Sequence, residues 1–174
     1  MFLIIGIILD ASTYDEDVLN IFSKIAPRFI IMSSQKNKIE TEIKICVLHD
    51  KIDERVALSF IDKINTNYPD GIKNYPIKFI SSSYFNIGEC KTAQLAFIFN
   101  SDRNNIKEAV LYLNRQNILS MSYEEELLDY GVQISLFIGR KVLPYINMKA
   151  ITENKIELDN ILLRVSKIYK EHER

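Results

Sequence analysis

The stretch Asn117 to Val165, NILSMSYEEELLDYGVQISLFIGRKVLPYINMKAITENKIELDNILLRV, limits this chain more than any other. A strand-like run from Ile118 to Met121 meets Ser122, and Glu125 three residues on completes the Ser-x-x-Glu pattern of a capped helix start. The helix it begins is short, because Gly131 can take the left-handed conformation that ends a helix and turns the chain. Val132, Ile134, Leu136 and Ile138 then alternate with Gln133, Ser135, Phe137 and Gly139, the period-two pattern of a half-buried strand. Gly139-Arg140 suits a two-residue hairpin turn with glycine first, so Val142 to Ile146 is predicted to return antiparallel. Leu158, Ile161, Leu162, Val165, Ile168 and Tyr169 recur at three- and four-residue steps, one face of an amphipathic C-terminal helix.

Upstream, strands and helices alternate. Val18, Leu19, Phe22, Ile25 and Phe29 share a helical face over Asp15 to about Phe29, capped by Thr13 or Asp15, with Pro27 expected to kink or shorten the last turn. Ile43 to Leu48 is a nearly continuous apolar run, as in a strand covered on both faces. Asp50 or Asp53 can cap a helix whose buried side is Val56, Ala57, Phe60, Ile61 and Ile64, and Tyr68-Pro69-Asp70-Gly71 marks a turn. Ile77 to Ile80 and Leu95 to Phe99 read as further strands, and Ile106, Ala109, Val110 and Leu113 as the helix leading to Ile118. Such alternation predicts one layered α/β domain, a mostly parallel or mixed sheet with helices on both faces, closed by the hairpin and a last helix.

At 174 residues the chain is long enough to bury a full core as one domain, here residues 13–174. A net charge of -1 speaks against a nucleic-acid binder, which needs a concentrated basic surface. Residues 1–12 allow two readings: Phe2 to Leu9 is the apolar core of a secretory signal with a small-residue site near Ala11-Ser12, or it is a buried first strand ended by Asp10.

Catalytic constellations are sparse. The two histidines, His49 and His172, and the absence of a C-x-x-C pair leave no metal-site pattern. Neither a dinucleotide fingerprint nor a P-loop occurs among five glycines, so no cofactor is expected. Ser81-Ser82-Ser83 reads as a turn, and Glu124, Glu125, Glu126 and Asp129 as acids favoured by a helix N-terminus. The chain reads as a non-enzyme. Gly131 and Asn147 are assigned structural roles, a left-handed turn and the satisfaction of backbone groups at a strand end.

The order of these elements resembles the YfiR family, whose C-terminal half runs from a strand through a short helix, Gly-Gly, an I-x-L strand, a turn and a strand ending Ile-Asn to a helix with Ser-x-Leu-Leu. The counterparts here are Leu119-Ser120-Met121-Ser122, Tyr130-Gly131, Ile134-Ser135-Leu136, Lys141, Ile146-Asn147 and Leu162-Leu163, with Tyr130 in place of the first glycine and Asn160 in place of the serine. Ile45-Cys46-Val47-Leu48 resembles the family's first strand and Leu95-Ala96-Phe97-Ile98 its C-x-V-L-F-I strand, the family cysteine falling on Ala93 while Cys90 lies three residues earlier. The resemblance spans about Ile43 to Val165. It implies a periplasmic regulator that restrains the sensor part of an inner-membrane diguanylate cyclase by protein contact, lowering cyclic-di-GMP. An outer-membrane lipoprotein and a second copy of the chain are further partners it implies. The same resemblance favours the signal reading of residues 1–12. In an exported protein Cys46 and Cys90 would close a loop of about 45 residues, for about 4 kcal/mol in the chain-entropy estimate; the alternative is two reduced thiols. Tyr123, Tyr130 and Tyr145 are candidate interface residues, though each reads more readily as a half-buried core ring with its hydroxyl in water.

A competing class is a degenerate receiver or flavodoxin-like cytoplasmic signalling domain. His49-Asp50 and Asn100-Ser101-Asp102 follow strands where a receiver keeps its acids, but the second acid of the first pair is missing and Asn100 stands at the third position. An enzyme on the same sheet would instead show a deep pocket lined by acids or His49.

Overall fold

The computed structural model describes residues 14–170; the Phe2 to Leu9 run, Thr13 and His172 lie outside them. In chain order the elements are α1 (Glu16–Ile31), β1 (Ile43–His49), α2 (Glu54–Asn67), β2 (Ile77–Ser83), β3 (Leu95–Ile98), α3 (Arg103–Arg115), β4 (Leu119–Ser122), β5 (Ile134–Ile138), β6 (Val142–Ile146), α4 (Met148–Glu153), α5 (Asn160–Val165) and β7 (Lys167–Ile168). They build one seven-stranded mixed sheet in the order β2-β1-β3-β4-β5-β6-β7. β1 to β5 pair in parallel, β6 is antiparallel to β5, and β7 is parallel to β6. The predicted α/β architecture with covered faces is the one observed.

Each face of the sheet has its own core. On one, α1 and α2 lay Phe22, Phe29 and Phe60 against Phe97 and Phe99, with Ile43, Ile45 and Val47 of β1 beneath. On the other, α3 and two 3-10 segments (84–92 and 125–130) pack Ile106, Ala109, Val110, Leu113 and Leu128 against Leu48, Ala96 and Ile98. Ile43, Ile45 and Val47 of β1 enter the first core and Cys46 and Leu48 the second, while Lys44 stays half-buried beside Glu42. That is why its sequence is a nearly continuous apolar run.

Several local expectations give way to tertiary contacts. Pro27 neither shortens nor ends α1, which runs on to Ile31; the buried Phe29 and Ile30 beyond it offset the roughly 3 kcal/mol a helical proline costs. Ser122 does not cap a helix. It stays paired in β4, its hydroxyl donates to the Glu124 carbonyl at 2.8 Å, and the chain leaves in 3-10 turns. Neither Asp50 nor Asp53 caps α2 through its carboxylate, because both are engaged elsewhere, as described below. Ser81 to Ser83 continue β2 rather than forming a turn, since β1 supplies partners out to His49. The hairpin has three residues between Ile138 and Val142, not two. Gly139 lacks the positive φ that a glycine-first two-residue turn requires.

Two further corrections concern burial. β5 is not half-buried: Gln133 and Ser135, on its supposedly wet side, are fully covered. Their polar groups are satisfied sideways, Gln133 Oε1 accepting from Ser120 N at 3.0 Å and Ser135 Oγ donating to Ser122 O at 3.0 Å. The amphipathic C-terminal helix shrinks to α5, leaving Ile161 70% exposed. After Ser166 the chain turns extended because the outer edge of β6 offers backbone partners, and Tyr169 N donates to Ile146 O at 2.8 Å. On the opposite side of β6, Asn147 N donates to Gln133 O at 2.9 Å, so alternation turns the ring nitrogen of Pro144 outward, away from β5.

Candidate functional site at the carboxyl ends of the strands

The strand order reverses between β1 and β3, and in open α/β sheets the crevice at the carboxyl ends of such a pair is the place where ligands bind. Here the crevice is filled by the chain's own Tyr14, 5% exposed. Its ring stands edge-on to Phe99 and Tyr123, with centroids at 5.0 and 4.8 Å. Its hydroxyl accepts from Asn100 N at 3.0 Å and donates to Asp53 Oδ2 at 3.3 Å. Burial, opposed by the Asn100 N–H, raises the pKa of this phenol, so it stays a neutral donor. Burial likewise raises the pKa of the Asp53 carboxyl, the Tyr14 hydroxyl pulling it back and neighbouring Asp50 adding to the rise.

A second tier of hydrogen bonds fastens the loops around Tyr14. Ser101 Oγ donates to Asp50 Oδ2 at 2.7 Å, and Asn105 Nδ2 donates to Ser101 Oγ at 3.0 Å. His49 closes β1 with Nδ1 2.9 Å from the Asp50 carbonyl and Nε2 2.9 Å from Ser81 Oγ. Because a carbonyl only accepts, Nδ1 carries the proton and Nε2 accepts from the serine. The pair has the form of a base and a hydroxyl, but the groups around it, the Asp50 carbonyl and Asp53, are acceptors and acids rather than donors for a developing negative charge. Tyr84 donates to the Phe99 carbonyl and is raised in pKa by burial. Among the described residues no group of His, Cys, Asp and Glu is arranged to hold a metal ion.

The rim around this plug is acidic. Beyond β1, β3 and β4 and at the start of α1 stand Asp15–Asp17, Asp50, Asp53–Glu54, Asp102 and Glu124–Glu126, ten carboxylates among which stand the cations Lys51, Arg55, Arg103 and Lys63, the last paired with Glu16 at 2.7 Å. Glu124 is raised in pKa by burial and by the adjacent Glu126. With the chain near neutrality, this concentration is local. Two apolar side chains project from the same edge, Ile52 at 88% and Phe85 at 89% exposure. They follow the paired ends of β1 and β2, where His49 stands opposite Ser83.

The tyrosines singled out from the sequence do not share one surface. Tyr123 packs on the α1 side, stacked on Phe22, its hydroxyl accepting from Asp15 N at 3.0 Å. Tyr130 and Tyr145 pack on the opposite face, Tyr130 beneath the Arg103 guanidinium at 5.7 Å and Tyr145 between Phe137 and Tyr169. Gly131, at φ +93°, ends the 125–130 turns, and its N–H donates to Leu128 O at 3.1 Å. Asn147 caps α4, accepting from Ala150 N at 3.1 Å while its amide donates to Leu128 O at 3.0 Å. Cys46 in β1 and Cys90 in the 84–92 segment form a disulfide, Cα atoms 5.4 Å apart. Tyr14, Ile52 and Phe85 escaped the sequence reading; the available signal for the last two was an isolated apolar residue among polar ones just past a strand.

A family model described as YfiR/HmsC-like matches residues 23–167. Among solved structures, a conserved domain protein from Vibrio cholerae O1 biovar El Tor is 9% identical with a TM-score of 0.61, over 87% of this chain and 60% of that one. The ABC domain in complex with L-Trp from Streptococcus pneumonia is 8% identical with a TM-score of 0.60, over 84% of this chain and 59% of that one. At such identities the likeness is one of fold, and this chain spans about three fifths of each neighbour. No curated protein matches.

Proposed function

From the premise that this chain belongs to the YfiR/HmsC-like family, we propose that it is a periplasmic regulator that restrains an inner-membrane diguanylate cyclase by direct protein contact and so lowers cyclic-di-GMP. The observation that carries this reading is the family match across residues 23–167, nearly the whole described chain. Two structural features support it. A Cys46–Cys90 bridge suits an oxidising compartment. The crevice where a sheet of this order would hold a small molecule is filled by Tyr14, which favours action through the surface. In this reading the cyclase's sensor domain is the main partner, an outer-membrane lipoprotein competes for the regulator, and the chain works without a cofactor or catalysis, alone or as a homodimer.

The test is to delete the gene in the source bacterium, measure cyclic-di-GMP, restore it with a plasmid copy, and fractionate the cells. A rise on deletion, reversal on restoration, and recovery from the periplasm without free thiols are expected. Unchanged cyclic-di-GMP would remove the reading. The β2-β1-β3-β4-β5 order is also that of receiver and flavodoxin-like domains, which keeps a cytoplasmic, non-catalytic signalling domain as the second reading. Cytoplasmic recovery with Met1 intact and two free thiols would select it.

A further inference from the structure

We propose that the rim formed by the ends of β1 and β2, with Ile52 and Phe85 as anchors beside the carboxylates past β1, β3 and β4, docks a basic amphipathic segment of a protein partner. The proposal rests on the regulator reading above and assigns it a surface. A large apolar side chain left almost wholly in water forgoes the roughly 1.5–3 kcal/mol its burial is worth, and here two follow the paired ends of neighbouring strands.

Their backbones are fastened. Ile52 sits in a 3-10 turn whose flanking Asp50 and Asp53 are held by Ser101 and Tyr14. Phe85 is flanked by Tyr84, tied to the Phe99 carbonyl, and by the segment that Cys90 bonds to Cys46. A fastened anchor loses little freedom on binding, the condition under which a few side chains dominate an interface.

The surrounding charge selects the occupant. Carboxylates past β1, β3 and β4, at the same end of the sheet as the two apolar anchors, match Lys or Arg flanking apolar side chains on the partner, and they steer such a segment in from solution. An anionic lipid surface is repelled, and a second copy presenting the same rim would set carboxylate against carboxylate.

The test uses the purified chain and spheroplasts of the source bacterium, which expose the outer face of the inner membrane, with protease-shaved spheroplasts and protein-free vesicles of the same lipids alongside. Saturable binding to intact spheroplasts only, weakening as salt rises from about 50 to about 500 mM, is expected. The double variant Ile52→Glu/Phe85→Glu should lose about tenfold or more in affinity, and Glu54→Lys/Glu126→Lys should bind more weakly with a flatter salt response. All four positions are exposed, so the apolar double variant should keep the parental melting temperature, and the charge reversals, in the first turns of α2 and of the 125–130 segment, should lower it only slightly. Undiminished binding by the apolar double variant, or equal binding to shaved spheroplasts or lipid vesicles, overturns the proposal. The two readings fail separately. A parental chain that leaves cyclic-di-GMP unchanged removes the regulator function, whereas an apolar double variant that lowers it as well as the parent removes only this surface.

Discussion

The two faces of the sheet are closed by different means. Beneath α1 and α2 the space is filled by large rings in mutual contact: Phe60 on Phe97 at 4.1 Å, Phe22 on Phe97 at 5.4 Å, Phe97 on Phe99 at 5.2 Å. Beneath α3 and the 3-10 segments the buried side chains are smaller, with Ala93, Ala96 and Ala109 among them and no phenylalanine among the described buried ones. That face also lacks a regular helix between β2 and β3, where residues 84–92 run as 3-10 turns with poorer hydrogen-bond geometry. It is the face that carries the covalent bond. Apolar area suffices where rings interlock; where the cover is thin and irregular, a cross-link holds it.

The contrast is sharpest at Phe97, which touches three other rings. Phe97→Ala should destabilise the protein by about 3–5 kcal/mol in denaturant titrations. Leu113→Ala on the opposite face should cost less, and an equal or larger cost there would break the comparison. Next in size is the bridge. Replacing Cys46 and Cys90 with alanine should lower stability by about 2–4 kcal/mol, with amide exchange accelerating first in residues 84–92 and last in α2; uniform acceleration would show that the bridge serves the whole molecule. Gly131→Val, forcing a β-branched residue to φ +93° with its Cβ about 3.3 Å from Val110 Cγ1, should cost about 1–2 kcal/mol. A parental melting temperature would contradict it.

The smallest effect belongs to Asp53 and sharpens the first face. Folding raises its pKa through burial, so the folded state holds that proton more firmly than the unfolded chain does. Its ionisation therefore weakens the fold as pH rises through the raised pKa, and the penalty disappears once pH falls below the ordinary carboxylate range. Asp53→Asn, which keeps an acceptor for Tyr14, should melt slightly higher than the parent at pH 7 and indistinguishably below about pH 3. Equal melting at both would show that the carboxylate is better solvated than its neighbours suggest.

How much of this was legible in the sequence follows from where each element draws its stability. β1, with its apolar residues facing one core or the other, announces itself as a nearly continuous apolar run, and the hairpin strands follow from their alternation. β5 deceives, because Gln133 and Ser135 look solvent-facing until Ser120 and Ser122 of the adjacent strand are seen to satisfy them. The C-terminal apolar spacing fits a helix, yet a strand edge 22 residues back along the chain competes for Ile168 and Tyr169 and wins. At the candidate site, Asp50, Asp53 and His49 could be named as polar residues near strand ends. What they hold in place, the Tyr14 plug, depends on contacts across 39 to 86 residues of chain that no local pattern records.

Pro144 has one more consequence. A β-strand border with free amide hydrogens is a template for polymerisation, since any extended segment can add to it and the product exposes the same border again. With its nitrogen turned outward and no hydrogen to give, Pro144 denies an incoming strand a donor beside the short β7 pairing. On this side Pro144 makes the sheet a poorer template for an added strand.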